Sequence, residues 1–94
     1  MNIEFDAAKS ARNAKERGLP FDMAAKLDFD TAVIKPDIRR NYGEPRYQAF
    51  GLIDDRLYFS AFSVRGDAVR IISLRKANAR EVRFYEQEIQ SHVD

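Results

Sequence analysis

The stretch Leu57-Tyr58-Phe59-Ser60-Ala61-Phe62-Ser63-Val64 constrains this chain more than any other feature. Its aromatic and apolar side chains suit extended backbone, and successive residues of a strand point to opposite faces of a sheet. Leu57, Phe59 and Ala61 therefore share one face, and Tyr58, Phe62 and Val64 share the other. A strand apolar on both parities belongs inside a sheet that is covered on both sides. One of those covers is left to a partner in this reading.

The flanking segments supply neighbours for it. Residues 47–53 and 69–74 also read as strands, joined to the first by the two-residue turn Asp54-Asp55 and the three-residue turn Arg65-Gly66-Asp67, in which Gly66 can take positive φ. Connections this short make the strands antiparallel. Residues 29–34 give a further strand, and residues 35–45 a polar loop about as long as loops become without a function.

Helices flank the strands. Asp6 is placed to cap a helix with Ala7, Ala11 and Ala14 along one seam, and Gly18 is placed to stop it. A second short helix, residues 21–27, starts after Pro20 and presents Phe21, Ala24 and Ala25. Asn78-Ala79-Arg80-Glu81 has the form of a capping box. A helix from there to about Gln90 would lie on the sheet through Val82, Tyr85 and Ile89, with Arg80, Arg83, Phe84 and Gln87 facing away. The predicted fold class is α+β: two N-terminal helices, an antiparallel sheet of about four strands, and a C-terminal helix packed on it.

A chain of 94 residues is expected to form one domain, residues 1–94, and with 45% apolar residues it can bury a modest core without a staple. The absence of cysteine excludes disulfides and thiolate metal sites. With neither a basic, apolar leader nor a long apolar run, the chain reads as cytoplasmic, with no membrane partner. Charge is nearly balanced, at 16 basic against 15 acidic residues, so a nucleic-acid reading must rest on where the charges lie. Between Arg65 and Arg83 six basic residues face two acidic ones, and five of the six are Arg, which suits bidentate phosphate contacts.

Three groups of residues resemble the BrnT family of bacterial toxins. The first is Phe5-Asp6, Lys9, Asn13, Gly18, Phe21 and Ala24 or Ala25; the second is Arg39 or Arg40, Tyr42-Gly43-Glu44, Arg46 and Gly51. The third is Arg70-Ile71-Ile72-Ser73-Leu74-Arg75-Lys76-Ala77, then Glu81 and Tyr85. The resemblance implies a RelE-like fold, a ribonuclease toxin that inhibits translation by cutting RNA, and an antitoxin of the BrnA, ribbon-helix-helix type through which alone operator DNA is contacted. Family members often carry Lys-His before the glycine that ends the first helix. This chain has Glu16-Arg17 there, so no imidazole role carries over to that position.

Metal-free RNA cleavage needs a base for the ribose 2′-hydroxyl, charge stabilisation at the phosphate and a proton for the leaving oxygen. Arg70 and Arg75 are the candidate stabilisers, although in a regular strand Arg70 and Lys76 would share a face and Arg75 the opposite one, so a bulge is needed to unite them. Arginine holds its proton too firmly to act as a base, which leaves Glu44 for that role. Arg39, Arg40, Arg46, Lys76, Arg80 and Tyr85 are the candidate RNA contacts, and no metal or cofactor is called for. His92, two residues from the end, is not a candidate. The bland counterparts are a pair of surface ions or anchors for Glu81 and Glu44, a solvated Glu44, and a Tyr85 packed on the sheet. The competing reading of the whole is a non-catalytic module that binds nucleic acid or protein.

Overall fold

A computed structural model describes residues 2–93, and their side chains through Ser91. Its elements are strand β1 (Asn2–Phe5), helix α1 (Ala7–Arg17), a short 3-10 helix (Phe21–Lys26), strands β2 (Val33–Pro36), β3 (Arg46–Ile53), β4 (Arg56–Arg65) and β5 (Ala68–Lys76), and helix α2 (Ala79–Val93). The five strands form one mixed sheet in the order β1-β5-β4-β3-β2. β4 is central, as its doubly apolar sequence requires. The chain itself covers both of its faces, so the cover expected from a partner is already present. Tyr58 and Phe62 pack with Leu19, Phe21, Ala24 and Leu27 on one side, and Leu57, Phe59 and Ala61 pack with Tyr85 and Val82 of α2 on the other.

The N-terminal half differs most from expectation. Residues 2–5 form an additional strand, parallel to β5 with Ile3 opposite Val69, which makes the sheet five-stranded and mixed instead of four-stranded and antiparallel. The strand expected over 29–34 runs instead over Val33–Pro36 and pairs with β3 at the sheet edge. The second helix is a 3-10 segment. Its buried residues Phe21 and Ala24, continued by buried Leu27, recur at the three-residue period of that helix, and Ala25 therefore faces solvent. α1 does not dock through alanines either: Ala7 and Ala11 are exposed and Ser10 is its buried residue. Ser10 Oγ accepts a bond from the Phe21 amide at 2.8 Å, and Asn13 Nδ2 donates to the Leu19 and Leu74 carbonyls at 2.7 and 2.9 Å. An alanine seam buries little area, so three directed hydrogen bonds fix this helix where apolar burial could not.

The hairpins hold to the turn chemistry. Asp54 adopts φ 54° between paired Ile53 and Arg56. Gly66 has φ 61°, although Arg65 pairs with Ala68, so this turn has two residues and not three. Asp6 caps α1 through the Lys9 amide at 3.0 Å, and Gly18 ends it at φ 72°. In β3, Gly51 has no room for a side chain, because a Cβ there would collide with Leu27 and crowd Ala32.

A cationic sheet face as the candidate functional site

The α2 side of the sheet carries the candidate site, and a bulge in β5 sets its composition. Phe62 pairs with Ile71, but Ala61 pairs with Ser73, so Ile72 is an extra residue on β5. The insertion reverses the alternation beyond it. Ile71 and Leu74 accordingly face the same core although they are three residues apart. Arg70 and Arg75 thereby share the α2 side, and Lys76, exposed, takes the parity of the other.

Pairing across the strands arranges this face in rows. Arg46, Ser63, Arg70 and Glu4 form one row across β3, β4, β5 and β1. Lys35, Gln48, Ala61 and Ser73 form the next, and Val33, Phe50, Phe59 and Arg75 the third. Rows lie roughly 7 Å apart along the strands. α2 covers the third row and the sheet beyond it, leaving the first row outside its cover. Arg70 and Arg75 are therefore about 13 Å apart at the backbone and line separate pockets.

The pocket around Arg75 is a cavity of about 420 Å³ whose lining includes Lys35, Arg39, Gln48, Phe59, Arg80 and Phe84. Arg75 lies 4.3 Å from the centre of the Phe59 ring and makes a two-pronged ion pair with Glu81, at 2.7 and 2.8 Å. The same Glu81 closes the capping box of α2: its Oε1 accepts the Asn78 amide at 3.0 Å, and Asn78 Oδ1 accepts the Glu81 amide at 2.9 Å. Hydrogen bonding from Arg75 holds the Glu81 carboxyl below its ordinary pKa, and Glu81 raises that of Arg75. Phe84 is half-buried against Phe50 at 5.3 Å, not outward, and Lys35 Nζ sits 5.0 Å from its ring centre. Lys35 lies in β2 and not in the loop expected from residue 35, and its period-two spacing from Val33 places it on this face.

The second pocket, about 230 Å³, lies between the start of α1 and the first row, lined by Asp6, Lys9, Glu44, Arg46, Ser63, Arg65 and Arg70 among others. Arg70 approaches Glu4 at 3.8 Å, and Glu44 approaches Arg65 at 3.4 Å. Glu44 and Arg70 are thus brought together, and Arg75 is not with them. Of the other candidate contacts, Arg39 and Arg80 line the Arg75 cavity and Arg46 the Arg70 pocket, whereas Arg40 is exposed and lines neither, its guanidinium 6.0 Å from the Tyr42 ring centre. Tyr85 is buried on the sheet with its hydroxyl donating to the Thr31 carbonyl at 3.0 Å, so that hydroxyl is not free for a substrate. Glu16 and Arg17 are exposed at the end of α1. The side chain of His92 lies outside the described residues.

The loop over residues 37–45 is organised by Asp37, which the sequence did not single out. Its side chain is 2% exposed, accepts Arg39 Nε and Nη2 at 2.8 and 2.7 Å, and accepts the Tyr42 hydroxyl at 3.2 Å. The Arg39 guanidinium holds the Asp37 carboxyl far below the ordinary carboxylate range. A depressed carboxylate contributes stability that is complete above the unfolded value, about 3.9, and declines as pH falls from there through the folded value. Wild-type protein is therefore expected to lose melting temperature below about pH 4, whereas Asp37→Asn starts lower, by roughly 1–3 kcal/mol at neutral pH, and depends less on pH in that range. Parallel melting curves for the two proteins across pH 3–7 would refute this role for Asp37.

Fold and site together define an α+β protein that gathers cations along one face of its sheet. The family model of BrnT, the ribonuclease toxin of type II toxin-antitoxin systems, matches residues 5–81, and the chain belongs to that family. A type II system pairs each toxin with an antitoxin. No curated protein matches the sequence. Among the described residues, no helix is long and apolar enough to cross a membrane, and no three His, Cys, Asp or Glu side chains are grouped to hold a metal ion.

Proposed function

We propose that this protein is a metal-independent endoribonuclease with a RelE-like fold. It acts in the cytoplasm, inhibits translation, and is neutralised by an antitoxin of the BrnA, ribbon-helix-helix type. The observation that carries the reading is the bulge at Ile72, which turns Arg70 and Arg75 onto one sheet face lined by further cations. Single-stranded RNA would cross that face from the Arg75 cavity to the Arg70 pocket. Phe84, half-buried at the Arg75 cavity, supplies aromatic surface for a base, and Arg39 and Arg80 supply phosphate contacts. Glu44 takes the proton of the ribose 2′-hydroxyl, whose oxygen attacks the adjacent phosphorus. The bond to the 5′-oxygen breaks, and that oxygen takes a proton from solvent. Arg70 stabilises the charge that builds on the phosphate. Antitoxin contacts fall to the large apolar side chains left exposed, of which Ile34 lies in the short edge strand β2 and Ile38 just beyond it.

The test is purified protein on RNA in EDTA. Wild type is expected to cleave, and Glu44→Gln to slow cleavage by roughly a hundredfold or more, the usual contribution of a general base. Binding of RNA without cleavage, by protein shown to be folded, would replace the enzyme by a binding module.

A further inference from the structure

Ser63 combines two properties that seldom coexist. Its side chain is fully buried, and its hydroxyl has no hydrogen-bond partner among the described residues. A polar atom buried in this way is costly and calls for an explanation. The adjacent Arg46 has the same defect at Nε, which is buried and unpartnered although its guanidinium stacks 4.1 Å from the Tyr42 ring centre. Both residues line one pocket, and in the cross-sheet row Ser63 stands between Arg46 and Arg70. Strands are roughly 4.8 Å apart, so one small anion over Ser63 is within reach of both guanidinium groups. Lys9 and Arg65 add positive charge at the rim, where Asp6 and Glu44 are already engaged with the Lys9 amide and with Arg65.

We propose that Ser63, Arg46 and Arg70 form a built binding site for a tetrahedral phosphate oxyanion, with the Ser63 hydroxyl and Arg46 Nε as its unpartnered donors. The pocket, about 230 Å³, suits a phosphate group more than a whole nucleotide. That the phosphate belongs to RNA rests on the ribonuclease reading; that the site takes a phosphate does not. Leaving two donors unpaired weakens the empty protein in exchange for binding, a pattern expected of functional sites.

Inorganic phosphate is the probe, titrated at constant ionic strength with sodium chloride as the balancing salt while thermal melting is followed. Wild type is expected to gain melting temperature with phosphate. Ser63→Ala is expected to melt higher than wild type without phosphate, because an orphaned hydroxyl has been removed, and to bind phosphate roughly tenfold more weakly or worse. Arg46→Lys, which keeps the charge and loses Nε, is expected to bind more weakly as well. Wild type and Ser63→Ala gaining equally from phosphate would overturn the site while leaving the ribonuclease reading untouched. In the second arm, RNA cleavage in EDTA is expected to fall in Ser63→Ala in step with phosphate affinity. Weakened phosphate binding with an unchanged cleavage rate would overturn the assignment to RNA and leave a site for free phosphate.

Discussion

Arg70→Ala is expected to slow metal-free RNA cleavage by roughly a hundred- to a thousandfold, the loss caused by removing one donor from a preorganised oxyanion site. The protein should remain folded, because the ion pair that Arg70 makes, to half-exposed Glu4 at 3.8 Å, is of the solvent-screened kind that adds about 0–1 kcal/mol. Arg70→Lys should recover part of the rate, since it keeps the charge and loses the paired donors. Arg75→Ala makes the contrast. That guanidinium is held by the carboxylate that also caps α2, so its removal should lower the melting temperature as well as the rate. If Arg70→Ala is folded and cleaves at the wild-type rate, Arg70 has no part in the chemistry.

The features legible in the sequence were those that short-range chemistry controls. The Asp54-Asp55 turn fixes the pairing of β3 with β4 residue by residue, so Arg46 opposite Ser63 was already implied by it. The capping box at Asn78 and Glu81 was legible for the same reason. β1 was missed although Ile3 and Phe5 alternate with Asn2 and Glu4, because its partner is β5, more than sixty residues away, and a parallel pair has no turn to announce it. The bulge at Ile72 was needed by the chemistry, but no glycine marks it, so neither its existence nor its position could be read. Distance was lost with it. Arg70 and Arg75 look like two ends of one site in the sequence, yet they serve separate pockets, and Glu44 joins only the first. Asp37 and Ser63 were invisible for a different reason: an acid in a polar loop and a serine in an apolar strand look ordinary until burial is known.

Leu74→Ala should cost about 2–5 kcal/mol of stability, the range for truncating a leucine in a packed core. Leu74 is fully buried and lies on the side of the sheet away from α2, packed with the core that contains Leu19, Phe21 and Ala24. That side is closed by a short 3-10 helix and by α1, which is held through Ser10 and Asn13 and has little apolar area of its own. For a domain of this size the melting temperature falls by about 4–8 °C for each kcal/mol, so a drop of roughly 8–40 °C is expected. Val64→Ala, at a position 44% exposed near the end of β4, is the control and should change it by only a few degrees. A Leu74→Ala protein that melts like the control would mean that this side of the sheet is loosely covered. Arg75 is next to Leu74 in the chain and points to the other face, so well below its melting temperature Leu74→Ala should still cleave RNA at near the wild-type rate, which separates the core of the fold from its cationic face.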